Sequence, residues 1–331
     1  MEQFTVILFR PDLDGVAAAA IAARAAGPDV EALAVGSQHL VGFFTDEAQR
    51  RLPAHYRLVI CGLELVRTDW DGRLVRPALL DALRDFTQPI RWFSGRAWAP
   101  EDIATLQHMF GEERIRVRPD ASSEAALVRE LLGEADDRYA DWLVAMAEDR
   151  LPAGPQSAWG KAWRHTIPFV KDDPPALAQA VGLLAAQKPQ EIPKALIERA
   201  ERTEREVLGQ AAAAAGDAVE IGERRLIALA LPRRLHPFWK EAGAAALRER
   251  DAQFCLCALS GRDVLALARR EGLRVDLEGW ARYVTDLMPG ASVVERQPEA
   301  EILNVPGLKG DQGLLDEVVR LLIEGAHLLR G

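Results

Sequence analysis

Up to about Gly133 the chain alternates short apolar runs with helix-forming stretches, and this alternation limits the fold more than any single residue does. Thr5–Phe9 (TVILF), Val30–Val35, Tyr56–Cys61, Ile90–Phe93 and Arg114–Val117 have the length and apolar content of strands. Between them stand an Ala-rich helix over Val16–Ala26, ended by Gly27-Pro28, and helices around Pro77–Phe86, Pro100–Phe110 and Ser122–Gly133. Strands linked through helices cross over and run parallel. The expectation is therefore α/β, with a parallel sheet covered by helices on both faces.

From Ala135 to about Ala215 the pattern is helical only, punctuated by Pro174-Pro175 and Pro193. Mixed structure then resumes. Arg224–Leu231, Phe254–Leu259, Val264–Arg269, Ser292–Arg296 and Ala300–Val305 read as strands; Pro237–Arg250, Leu277–Met288 and Gly313–Leu329 read as helices. A chain of 331 residues has room for two cores. The expected division is an α/β domain over residues 1–170, a helical connector over 171–218 and a smaller mixed α/β domain over 219–331.

Composition narrows the setting. With 49% apolar and 27% charged residues the chain is ordinary globular material, not a disordered one. A net charge of −9 leaves no overall basic field, so any polynucleotide contact has to be local. Cys61, Cys255 and Cys257 form no disulfide framework, which points to a reducing compartment, and the expected location is cytoplasmic. Cys255 and Cys257 share one face of a strand and read as core. No apolar stretch approaches the roughly 18–20 residues of a membrane span, and the six histidines show no helical metal-ligand pair.

Chemistry is concentrated in Arg10-Pro11-Asp12-Leu13-Asp14-Gly15, directly after the first strand and before the first helix. Ligands of open parallel sheets collect at the carboxyl ends of strands. Two carboxylates one residue apart can converge on a divalent ion, and Gly15 permits a tight entry into the helix. The same four letters, Asp-x-Asp-Gly, also make a plain helix cap.

At this point the sequence resembles the DHH phosphoesterases with their DHH-associated second domain, the group of RecJ-like exonucleases and small-oligonucleotide nucleases. Their first strand ends in His-x-Asp-x-Asp-Gly, matched here with Arg10 in place of the histidine. Their second metal motif matches Ile60-Cys61-Gly62-Leu63 except that Gly62 stands at the carboxylate position. Ser94, Gly95 and Arg96 stand where the signature Asp-His-His would be. Ser122-Ser123-Glu124-Ala125-Ala126 resembles a Ser-rich segment of the family, and Ala147-Glu148-Asp149-Arg150 its fourth acidic motif. The second domain's Gly-Gly-His loop has no counterpart.

The resemblance implies a site degenerate in its metal ligands. Asp12, Asp14 and Asp149 survive as carboxylates able to hold at most one ion, Mg2+ or Mn2+, and no catalytic residue is assigned. Arg10, Arg96 and Ser94 are the expected ligand contacts, with the arginines as counter-charges to the aspartates or as grips for a phosphate. The leading expectation is a catalytically impaired homologue binding a nucleotide, another phosphorylated ligand or a partner in the interdomain cleft. The alternative is a working metal-dependent phosphoesterase built on Asp12, Asp14 and Asp149. The expected partner is a nucleotide or short nucleic acid, the expected assembly a homodimer, and no membrane is involved.

Overall fold

The computed structural model describes residues 4–45, 52–66, 74–134, 136–221, 223–297, 300–309 and 311–328. They form two compact units. The first takes in the residues up to Val66 together with Val75–Glu201, and the second takes in Leu74 and the residues from Arg202 onward.

In the first unit the elements follow the chain as β1 (Thr5–Phe9), α1 (Leu13–Ala26), β2 (Val30–Ala34), α2 (Leu40–Thr45), β3 (Arg57–Cys61), α3 (Arg76–Arg84), β4 (Ile90–Ser94), α4 (Pro100–Phe110), β5 (Ile115–Val117), α5 (Glu124–Leu132), α6 (Arg138–Ala147), α7 (Pro155–Thr166) and α8 (Pro174–Ala185). The five strands make one parallel sheet in the order β2-β1-β3-β4-β5. The helix-linked alternation of the sequence becomes a doubly wound sheet, as expected. Side chains alternate strictly. Ile7, Phe9, Val59, Cys61 and Phe93 face α1, α5 and α8, while Val6, Leu8, Leu58, Ile60, Trp92 and Ile115 face α2, α3 and α4.

The Ala-rich helix owes its composition to crowding. Every residue from Gly15 to Ala23 of α1 is buried, with β1 on one side and α5, α6 and α8 on others. Only side chains of one carbon fit at several of these positions. Residues read from the sequence as the start of a connector join this core: Ala176, Leu177, Ala180, Val181 and Leu184 of α8 are buried in it. So are Leu196 and Ala200 of α9 (Lys194–Ala214), within which the division between the units falls.

The strand order sets the position of the site. From β1 the chain turns first to β2 on one side and then returns to β3 on the other. This reversal opens a crevice beyond the carboxyl ends of β1 and β3, where such sheets take their ligands.

The second unit carries a six-stranded mixed sheet in the order β10-β11-β9-β8-β7-β6, with only β7 and β8 parallel. Its strands are β6 (Val219–Ile221), β7 (Arg224–Leu231), β8 (Phe254–Leu259), β9 (Val264–Arg269), β10 (Ser292–Gln297) and β11 (Ala300–Asn304). Helix α10 (Trp239–Glu249) lies against β7 and β8, while α11 (Glu278–Leu287) and α12 (Gln312–Glu324) complete the core around Trp280. Cys255 and Cys257 are fully buried core residues whose sulfurs lie 3.4 Å apart beneath Gly243. No described helix is long and apolar enough to cross a membrane.

Overpacking α1 tests this account. Ala19→Leu is expected to lower the stability of the protein by roughly 1–3 kcal/mol, because the added methylenes have no free volume to enter. A thermal midpoint equal to that of the wild type would show that the helix is less tightly enclosed than described.

Candidate functional site

Beyond Phe9 the chain makes one turn before α1 starts, and the turn is set by close contact. A methyl group on Gly15 would lie 2.1 Å from the carbonyl oxygen of Arg10, so only glycine lets the helix start pass this close. Asp12 is the N-cap of α1, its Oδ1 accepting from the Gly15 N–H at 2.8 Å. Asp14, in the first turn, reaches across to a second helix. Its two oxygens accept from the backbone N–H groups of Glu124 and Ala125, each at 2.9 Å, at the start of α5. A carboxylate there meets unpaired amide donors and the positive end of the helix dipole. Asp14 thereby pins the start of α1 to the start of α5.

Arg10 lies in the middle of these acids. Its Nε donates to Asp12 Oδ2. One terminal nitrogen is 3.6 Å from Asp14 Oδ2 and the other 3.7 Å from Glu124 Oε1. The latter also donates to the Gly62 carbonyl oxygen at 3.5 Å. Glu124 is the acid that reading the sequence missed. Its side chain is 3% exposed, and its other oxygen accepts from the Gly95 N–H at 2.7 Å.

Both glycines that interrupt the motifs border Glu124. A methyl group at Gly62 would stand 3.1 Å from Glu124 Cγ, and one at Gly95 would stand 3.5 Å from Glu124 Oε2. Gly62 also has φ +72°, in the left-handed region where a side chain is strained. The space that an acid after β3 would fill is thus taken by an acid from α5. The sequence carries no local sign of this, because a Ser-Glu pair before an apolar run looks like any helix start.

The remaining candidates are held in local pairs. Ser94 is wholly buried, its hydroxyl accepting from the Arg96 N–H and from Trp98 Nε1–H, both at 3.2 Å, so it shapes the loop after β4. Arg96 pairs with Glu64 at 3.2 Å. Asp149, just past α6, has φ 57° and a side chain 71% exposed, and Arg164 Nε lies 3.1 Å from its carboxylate. Its neighbour Glu148 turns inward instead, accepting from the hydroxyls of Ser122 and Ser123, the two residues before Glu124. The structure therefore brings Asp12 and Asp14 together with Arg10 and Glu124, and it gives Asp149 to Arg164. Among the described residues no three His, Cys, Asp or Glu side chains are placed to hold a metal ion.

Electrostatics follows from this packing. Burial alone would lower the Arg10 pKa, but Asp12, Asp14 and Glu124 outweigh it and hold the guanidinium above its ordinary value. For Asp12, burial is outweighed by Arg10 and by the Gly15 N–H, and its pKa falls. Asp14 is raised, chiefly by burial and with Asp12 adding, against the pull of Arg10 and the two amides. Burial, with Asp14 and Asp12 contributing, pushes Glu124 up to about 7 despite Arg10 and the Gly95 amide. Cys61 at the end of β3 is raised by burial and then by Glu124 and Asp14, so it stays a thiol.

No family model matches the chain, and no curated protein is significantly similar to it. Solved structures do match. The DHH domain of a member of a family of ribosomal proteins aligns with a TM-score of 0.65 at 13% identity, over 100% of this chain and 88% of that one. The fold is that of the DHH phosphoesterases. Exonuclease RecJ bound to manganese aligns with a TM-score of 0.51 at 14% identity, over 99% of this chain and 91% of the other. A pGpG-specific phosphodiesterase, PggH from Vibrio cholerae, gives 0.52 at 14% identity, over 99% and 100%.

Divalent ions, which the fold implies, do not fit the residues present. The guanidinium of Arg10 already stands among the acids that would have to bind them. At about 4 Å and an effective dielectric near 20, its repulsion of a divalent ion is about 8 kcal/mol. Three backbone amides and the Gly95 N–H hold the carboxylates in this arrangement without any ion.

Glu124 gives the site a pH dependence. The unfolded carboxyl ionises near its ordinary value, 4.5, whereas the folded one keeps its proton up to about 7. Between those values the native state holds more protons, so its stability falls as pH rises. Relative to Glu124→Gln, the wild type is expected to lose up to about 3 kcal/mol between pH 4.5 and pH 7.5. Parallel pH–stability curves for the two proteins would show that Glu124 does not titrate in this window.

Proposed function

We propose that this chain is a DHH-fold protein that no longer carries out two-metal hydrolysis and that uses the carboxyl edge of its first sheet to bind. The observation that supports this most is the position of Arg10, whose guanidinium is the counter-charge for Asp12, Asp14 and Glu124. Two-metal phosphoester hydrolysis needs one ion to activate water and another to stabilise the leaving oxygen. Here Gly62 and Gly95 offer no side-chain ligand, Glu124 crowds the position of Gly62, and Ser94 is wholly buried. Asp12 and Asp14 are already engaged, since each accepts hydrogen bonds that hold the starts of the two helices.

A nucleotide or short nucleic acid is the ligand class we assign to this edge. The names of the fold's neighbours, an exonuclease and a pGpG phosphodiesterase, support that choice. Arg10 is committed to carboxylates, so the contact we assign is Arg96. Its side chain is 23% exposed, and a phosphate could compete with Glu64 for it.

Assays with pGpG and with a short single-stranded oligonucleotide, each with Mn2+ or Mg2+, are expected to show no turnover above buffer. Metal-dependent hydrolysis by the purified protein that disappears in Asp12→Asn would overturn the proposal. Binding of the same molecules is expected to weaken about tenfold in Arg96→Ala.

A further inference from the structure

The opposite edge of the same sheet gathers basic side chains. Three neighbouring strands each bring one arginine to it. Arg57 is the first residue of β3, Arg91 the second of β4, and Arg114 immediately precedes β5. The pairing of the strands decides which way they point. Val59 lies beside Arg91 and Phe93 beside Arg116 in the ladder, and Val59, Cys61 and Phe93 all face α1. Residues two apart share a face, so Arg57, Arg91 and Arg114 all stand on the α1 side, near the amino ends of their strands.

Together they line a cavity of about 240 Å3, roofed by Ala22, Ala25 and Ala26 of α1 and by Leu132 of α5. Among the described residues no acidic one lines it, in a chain whose net charge is −9. Arg57 is oriented by its own framework: its Nε donates to Thr5 Oγ1 at 2.6 Å and a terminal nitrogen to the Ala26 carbonyl oxygen at 3.2 Å. Arg114 pairs with the exposed Glu113 at 3.4 Å, a surface pair of little strength.

We infer that this cavity binds a tetrahedral phosphate group. Guanidinium forks match the oxygens of a phosphate, and three of them from adjacent strands offer donors on several sides of it, more than a planar carboxylate can use. At about 240 Å3 the cavity has room for more than a phosphate group, so the ligand is either free orthophosphate or a phosphomonoester. The carboxyl-edge chemistry has no part in this site, and the inference stands or falls independently of the function proposed above.

The test is calorimetric titration of the full chain, in metal-free buffer with EDTA, with orthophosphate and separately with adenosine monophosphate. Saturable binding of at least one is expected. Tighter binding of orthophosphate identifies the free anion as the ligand, and tighter binding of the monophosphate identifies a phosphomonoester. Arg91→Ala and Arg114→Ala, both at exposed positions that the fold tolerates, are each expected to weaken it about tenfold. Arg84→Ala, an exposed arginine of α3 outside the cavity, is expected to leave it unchanged. No saturable binding of either probe at millimolar concentration, or unaltered binding in the Arg91→Ala/Arg114→Ala double variant, would overturn the inference.

Discussion

A single guanidinium ties together the segments that meet at the carboxyl edge of the first sheet. Arg10 leaves β1, grips Asp12 and Asp14 at the start of α1, approaches Glu124 at the start of α5 and reaches the carbonyl of Gly62 after β3. Remove its charge and three acids remain, two of them largely buried, in surroundings where like charges cost most. Much else in the neighbourhood follows from this arrangement. Asp14 can pin α5 only because Arg10 offsets its charge. Glu124 can sit buried with its pKa near 7 only because a guanidinium and an amide face it.

This explains why the departures from the DHH pattern come as a set. An arginine in place of the first histidine would repel any ion held by the aspartates. Glycine at position 62 leaves the room that Glu124 occupies. The fold is shared with DHH-domain proteins, and at the carboxyl edge of its first sheet Arg10 pairs with Asp12, Asp14 and Glu124. Function has to be argued from such groups, because a fold outlasts its chemistry.

How much of this was legible in the sequence differs by scale. Strand and helix alternation gave the parallel sheet, because a strand of five apolar residues followed by a helix has few other ways to bury itself. Asp12 and Asp14 were legible as a pair, since one turn carries both. Glu124 was not: a Ser-Glu pair before an apolar run is what any helix start looks like, and only the third dimension sets it against Gly62 and Gly95. The direction of Asp149 was not legible for a related reason. Adjacent acids on a helix end point in different directions, and here Glu148 turned inward while Asp149 turned to Arg164. The helices after residue 170 looked like a connector because their charged faces dominate the pattern, yet the buried Ala and Leu positions of α8 complete the first core.

The claim that Arg10 stands in for a metal is tested most directly by thermal unfolding of the wild type and of Arg10→Ala, each with and without Mn2+. The account predicts a wild-type midpoint indifferent to Mn2+ and to EDTA. It predicts that Arg10→Ala unfolds at a clearly lower temperature, consistent with a loss of about 3–5 kcal/mol on breaking a buried ion network, and that Mn2+ recovers part of that loss. A wild-type midpoint that rises with Mn2+ and falls with EDTA would contradict it, since the acids would then already be serving an ion.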